Sequence, residues 1–282
     1  SGSNVPDGDT GQPPRDWDDE IRLVSPRDTN AAANVVEVEL EARVAEVEIS
    51  PGQKVQMWTY GGRSPGPLLR ARVGDRLIVH FKNSLPAATT IHWHGLEIPS
   101  DMDGSEVVQD PVPSGGSFDY DFIVPRAGTF WYHPHMDSSE QLWSGLYGPL
   151  VVDDPGEPAL GREIVIVLDD VSTDDDGHLT PLDPNGNLGA FFGREGDRLL
   201  VNGRTLPTVL AHPGDALRLR FINASNSHYF RPAVLGQGLT RIGGDGGLIE
   251  RPMFTDSVSL APGERADVVL VADADAGDTL RV

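Results

Sequence analysis

Four histidines stand in two pairs, His92-Trp93-His94 and His133-Pro134-His135, in a chain of 282 residues that contains no cysteine. In an extended strand, residues i and i+2 point to the same face, so each pair presents two imidazole nitrogens side by side, which suits a metal ion. Imidazole is a preferred donor for copper, zinc, iron and nickel, and a cluster held by imidazoles alone favours copper over thiolate-rich zinc or iron–sulfur sites. Eight histidines in a chain of this length yield only about 0.2 His-x-His pairs by chance, so two pairs rise above a bare pattern match. Both have aromatic neighbours, Trp93 in one and Phe130, Trp131 and Tyr132 beside the other, as expected of strand ends lining a packed site. His178, His212 and His228 lack ligand spacing and read as surface or loop residues.

The elements that must position these pairs read as strands. Short alternating segments recur between turn signals, with 32 glycines and 23 prolines and few helix-forming runs, which predicts an all-β protein of sandwiches or barrels. The length allows about two domains. No stretch approaches the ~18 consecutive apolar residues that would mark a membrane span. A formal charge of −21 argues against nucleic acid as a partner. It is compatible with attracting cations, although an acidic solubilising surface accounts for it equally well. The absence of cysteine excludes disulfides, thiolate catalysis and thiolate metal ligands within this chain. Residues 1–35 are polar and without apolar period, and read as an extended arm or spacer.

The chain contains an internal repeat. Pro67 to Asn83 and Pro207 to Asn223 align without a gap at an offset of 140, with Ala71/Ala211, Gly74/Gly214, Asp75/Asp215, Leu77/Leu217, Phe81/Phe221 and Asn83/Asn223 identical. Each copy is a Gly-Asp turn followed by a strand; in the first, Leu77, Val79 and Phe81 face one way and Arg76, Ile78, His80 and Lys82 the other. A repeat of this length predicts duplicated domains: an arm over 1–35, a first domain over 36–155 and a second over 156–282, with Leu77/Leu217 and Phe81/Phe221 equivalent in their cores. A switch of apolar parity from Val44 to Ala45 predicts a β-bulge there. At the same offset His92 and His94 fall on Pro232 and Val234, so only the first domain is expected to carry the site. Pro262 to Gly277 matches Pro113 to Gly128 in kind, which places Thr279 to Val282 inside a strand and makes the chain an expected part of a longer protein.

These residues bring a resemblance into view. Gly66-Pro67 with Gly74-Asp75, Ile91-His92-Trp93-His94-Gly95, Asp103-Gly104, the run from Gly128 to His135, and Gly145-Leu146-Tyr147-Gly148-Pro149-Leu150 resemble the first cupredoxin domain of a multicopper oxidase. Val201-Asn202-Gly203, Arg218 to Asn223, Asp245-Gly246-Gly247 and Pro262 to Asp267 resemble the second domain of the three-domain, laccase-like branch. The resemblance implies two tandem cupredoxin-like Greek-key β-sandwiches and an oxidoreductase that couples one-electron oxidation of a phenolic or metal-ion donor to reduction of O2 to water. It also implies an exported location, periplasmic or extracellular, with the N-terminal arm as a surface tether. By resemblance His92 ligates a type 2 copper, His94 and His133 one type 3 copper and His135 the other, while Asp103 manages protons for O2 reduction, a task apt for a carboxylate. Asp103 also reads as the acid of a plain Asp-Gly turn.

The departures carry as much information. The type 1 copper needs a cysteine thiolate, absent here, and the remaining four cluster histidines of the family, carried by a third domain, are also absent from the chain. The leading expectation is therefore the first two-thirds of a three-domain oxidase, inactive alone and dependent on a third cupredoxin domain in cis or in trans. The alternative is a non-catalytic copper-binding or scaffold protein of the same fold. A compact two-domain laccase is disfavoured, because its second domain would carry a cysteine-histidine motif.

Overall fold

The structure, a computed structural model, describes residues 18–182 and 193–273. In chain order a first unit contributes β1 (Val35–Ser50), β2 (Gln53–Tyr60), β3 (Leu69–Arg72), β4 (Arg76–Asn83), β5 (His92–His94), β6 (Ser117–Ile123), β7 (Gly128–His133), a short helix α1 (Ser138–Trp143) and β8 (Gly148–Asp153). A second contributes β9 (Arg162–Val171), β10 (Arg198–Val201), β11 (Ala216–Asn223), β12 (Leu239–Gly244), β13 (Gly247–Thr255) and β14 (Arg265–Val271). The first unit is two four-stranded sheets, ordered β2-β1-β4-β6 and β3-β8-β7-β5, and the described strands of the second form one sheet, β10-β9-β11-β14-β12-β13. The fold is all-β and cupredoxin-like.

The repeat has the spatial meaning expected of it. On β4, Leu77, Val79 and Phe81 are buried in the first core, and on β11, Leu217, Leu219 and Phe221 are buried in the second. Phe81 lies opposite Leu40 of the parallel neighbour β1 and Phe118 of the antiparallel neighbour β6. Phe221 lies opposite Ile166 of the parallel β9 and Ala266 of the antiparallel β14. The two phenylalanines thus hold the same place between the same kinds of neighbour.

Strand β7, which carries His133, is buried on both faces. Phe130 and Tyr132 enter the first core, while Trp131 enters a separate cluster with Val165, Val167 and Ile222 of the second unit. Beside that cluster β11 turns two arginines toward β7, and burying a guanidinium costs several kcal/mol unless it is paired. Asp267 of β14 meets the need: its Oδ2 accepts from Arg218 Nη2 at 2.7 Å and Arg220 Nη1 at 2.9 Å, and its Oδ1 from Thr129 Oγ1 of β7 at 2.7 Å. Glu163 takes the Nε of Arg220 at 2.7 Å, and Glu157 pairs with Arg218.

Two expectations are corrected. No register shift occurs at Val44-Ala45; pairing with β2 runs unbroken from Ala42 to Glu48, and the irregularity lies between Glu48 and Ser50. The parity changes because β1 serves two cores from opposite faces: Val38, Leu40 and Ala42 face the first, whereas Ile49 packs with Val171 and Leu200 of the second unit. Nor is the described part of the arm a free spacer. It has no helix or strand before Val35, yet Ile21 is buried in the second core and its carbonyl accepts from Asn202 Nδ2 at 2.7 Å. Sparse apolar residues leave no periodicity to find. The strand expected at Thr279–Val282 lies outside the described residues.

A second buried contact joins the units: the Tyr147 hydroxyl donates to Asp169 Oδ2 at 2.6 Å. Burial, reinforced by neighbouring Asp170, pushes the Asp169 carboxyl from an ordinary 3.8 up to about 8. The folded protein therefore keeps a proton that the unfolded chain releases, so this group's contribution to stability falls as pH rises from about 4 to about 8. Asp169→Asn is expected to melt above the wild type at pH 8 and to flatten the pH dependence of stability, whose one-proton slope is at most about 1.4 kcal/mol per pH unit. Melting temperatures at pH 5 and pH 8 check this. Asp267→Ala, which strands two buried guanidiniums, is expected to cost about 3–5 kcal/mol in denaturant unfolding.

Candidate metal centre

Strand β5 pairs antiparallel with β7, setting His92 opposite His133, Trp93 opposite Tyr132 and His94 opposite Trp131. Period-2 alternation then sorts the side chains. Trp93 and Tyr132 anchor the pair in the first core, leaving His92, His94, His133 and Trp131 on the opposite face. One ligand atom from each of His92, His94 and His133 falls within a group whose members all lie within 4.8 Å of one another. The ring of His135, just past the end of β7, is centred 5.3 Å from that of His92.

Each ring has a distinct set of neighbours. His133 Nδ1–H donates to the Pro134 carbonyl at 2.8 Å, which leaves Nε2 as an acceptor, and it accepts from His94 Nδ1–H at 3.1 Å. His92 Nδ1 lies 3.0 Å from Asp103 Oδ1, so Nε2 is the nitrogen it can offer. Trp131 stacks on His133 at 4.2 Å between ring centroids and lies tilted against His94 at 4.9 Å. Burial holds His133 well below the usual imidazole range, helped by His92 and His94. Burial, with Arg265 and His92 adding to it, brings His94 down to about 3. Both are therefore neutral imidazoles at ordinary pH, the state a metal requires.

Asp103, expected as a proton-handling acid, follows a single 3-10 turn (Ser100–Met102) and sits against the first pair. Its Oδ1 also accepts from the Trp93 backbone N–H at 3.3 Å, so it braces the strand as well as the His92 ring. His178 lies in an exposed turn, as expected of a surface residue, and groups there with Asp174 and Asp176. His228 pairs with buried Asp170, at 3.0 Å between Nδ1 and Oδ2.

Comparison with known proteins decides the family. A multicopper oxidase model matches residues 41–157, and a second model of the same description matches 162–279. This chain belongs to the multicopper oxidase family. It is 34% identical to the multicopper oxidase MmcO of Mycobacterium tuberculosis over 271 residues, 86% of this chain and 53% of that protein. With a copper resistance protein A homolog of Pseudomonas syringae pv. tomato the identity is 32%, over 86% of this chain and 48% of the other. The crystal structure of a multi-copper oxidase from Pseudomonas thermotolerans superposes with a TM-score of 0.81 at 39% identity, covering 88% of this chain and 61% of that one. The chain thus spans about half the length of the curated relatives it matches.

Copper, which membership of the multicopper oxidases implies, fits this site. The donor set is imidazole alone, and the contact between His94 Nδ1 and His133 Nε2 is one a metal can replace, because two neutral rings meet there. All four histidines belong to the first unit, and the second unit approaches them at Gly263, where an added Cβ would stand 3.1 Å from His94 Cε1. Neither this contact nor the Trp131 stacking has a signal in residue spacing, since both depend on how the two units dock.

Gln141 of α1 was also missed. It is 2% exposed, its Oε1 accepts from Thr89 Oγ1 at 2.7 Å and its Nε2 donates to the Ala88 carbonyl at 3.0 Å. It thereby ties the chain entering the first histidine pair to the helix leaving the second. Gln141→Leu, which leaves the Thr89 hydroxyl buried without its acceptor, is expected to cost about 1–3 kcal/mol in chemical unfolding. Adding Thr89→Val should recover part of that loss, and a double-mutant cycle measures how much.

Proposed function

We propose that the chain supplies the first two cupredoxin domains, 36–155 and 156–282 after an arm at 1–35, of an oxidase that couples one-electron oxidation of a donor to reduction of O2 to water. The observation that carries this is the convergence of His92, His94 and His133, with His135 beside them, in a chain without cysteine. In this reading His92 holds a type 2 copper, His94 and His133 share one type 3 copper, and His135 holds the other. Bound copper would supply the site at which O2 is reduced.

The protein's own groups prepare that site. The Pro134 carbonyl keeps the proton of His133 on Nδ1. Asp103 orients His92 through Nδ1, and in this reading its carboxylate takes up and passes on protons. The type 1 copper and the remaining cluster ligands belong to a third cupredoxin domain, in cis or in trans. The reducing substrate is a phenolic compound or a metal ion. Export to the periplasm or the cell exterior, with the N-terminal segment as tether, completes the proposal; among the described residues no helix is long and apolar enough to cross a membrane.

Metal analysis after copper loading and dialysis tests the reading on the wild type and on the double variant His94→Ala, His133→Ala. The wild type is expected to retain more copper than the variant, and to lack intense blue absorption because no thiolate is present to give it. Equal copper in the two samples would dismiss this site.

A further inference from the structure

The loop that follows Asp103 inverts the usual order of burial. Val107 is 91% exposed and Val108 half-exposed, whereas Gln109 beside them is 4% exposed. A buried amide side chain is costly unless its oxygen and its nitrogen both find partners, so the partners of Gln109 say why it is inside. We propose that Gln109, together with Tyr120, is a positioning residue of the metal centre: the pair holds the Asp103-Gly104 turn against the His92 strand and so fixes the hydrogen bond between Asp103 and His92. The proposal rests on the reading of the histidines as metal ligands and adds what orients one of them.

The groups immediately around Asp103 hold it weakly. Its backbone N–H meets the Ser100 carbonyl at 3.4 Å, and its Oδ1 accepts from the Trp93 N–H at 3.3 Å, both beyond the usual range of about 2.7–3.2 Å for such bonds. Past Gly104 the chain from Glu106 to Val108 is exposed and gives no support. Yet His92 Nδ1 faces both the Asp103 carbonyl, at 3.2 Å, and Asp103 Oδ1, at 3.0 Å. A shift of the turn by about 1 Å would undo both.

Gln109 supplies the missing hold. Its Oε1 accepts from the Gly104 N–H at 3.1 Å, and its Nε2 donates to the Tyr120 hydroxyl oxygen at 3.0 Å. Tyr120 belongs to β6, in the sheet opposite that of β5, and the same oxygen accepts from the N–H of Ile91, the residue before His92, at 2.7 Å. Both lone pairs of one phenol oxygen are thus engaged, one by the link to the turn and one by the histidine strand. Turn and strand take their places from a single point across the core. Trp93, between the two histidines, meets the Tyr120 ring edge-on at 5.5 Å between centroids. Gly104 lets the two segments touch: with φ +72°, it lies where a Cβ would overlap the Ile91 carbonyl.

The test is the proton on His92. In the metal-free chain with 15N-labelled histidine, long-range 1H–15N correlations at pH 8 read which nitrogen of each ring is protonated, and His92→Ala assigns the signal. The wild type is expected to show His92 as a single tautomer with the proton on Nδ1. Gln109→Leu, which cuts both links at similar volume, and Tyr120→Phe, which removes only the shared oxygen, should each make His92 a mixture of tautomers. His133, held by the Pro134 carbonyl, should keep its proton on Nδ1 in both, a contrast that general loosening of the fold would not give. Gln109→Glu should restore the wild-type pattern, because its carboxyl group still accepts from Gly104 and still bonds the Tyr120 hydroxyl, which can donate as well as accept. In a titration with buffered Cu(I), which is diamagnetic, Gln109→Leu should need about tenfold more free metal than the wild type to shift His92. If Gln109→Leu does not fold, Tyr120→Phe decides the question. An unchanged His92 tautomer in the folded variants, or mixing of His92 and His133 alike, would overturn the positioning role. Cu(I) that shifts no histidine of the wild type would overturn the metal reading itself, a result distinct from the other.

Discussion

A strand with no solvent face is the constraint on which the rest of this structure depends. β7 gives Phe130 and Tyr132 to its own core and Thr129, Trp131 and His133 to the side that meets the second unit. Because both sides are filled, β7 cannot slip in register: a one-residue shift would turn every side chain to the wrong face. Its pairing with β5 carries that restriction to His92 and His94. The histidines are therefore held by packing at their backs, and the shared carboxylate of Asp267 secures the same strand from the far side.

The two copies show how one strand pattern meets opposite surroundings. His80 of β4 bonds Glu37 and Asp119, each at 2.8 Å, and Arg220 of β11 bonds Glu163 and Asp267 in the corresponding places of its own sheet. In each unit the aspartate lies directly across the antiparallel pair. What differs is the company. Around His80 the outward residues of β1 and β4 include Glu39, Glu41 and Lys82, and the face stays open to water. Around Arg220 they include Val165, Val167 and Ile222, and the face is covered by β7 and β8. Three apolar residues in place of three charged ones turn a solvent face into a docking face.

Much of this was legible in the residues. The duplicated strands, the alternation on β4 and the placing of each histidine pair on one face of an extended segment follow from period-2 patterns, which are local properties. Information that arises only when distant segments meet could not be read. The second use of β1 looked like a bulge because a change of face and an inserted residue leave the same mark in a sequence. Ile21 looked like part of a polar arm because one anchoring residue has no period. Gly263, Arg265 and Gln141 act on the site through contacts 52 or more residues away along the chain. Asp103 was found, but its hold on His92 needed coordinates.

The sixteen residues of β1 begin in one core and finish in another, and the same cluster that receives Ile49 also holds Val171 and Leu200. A single rigid element thus has an end in each half of the molecule. Neither half can unfold without withdrawing apolar surface from its neighbour, so the loss of one costs the other part of its burial. The duplication still shows in the sequence, but each copy now leans on the other for part of its core.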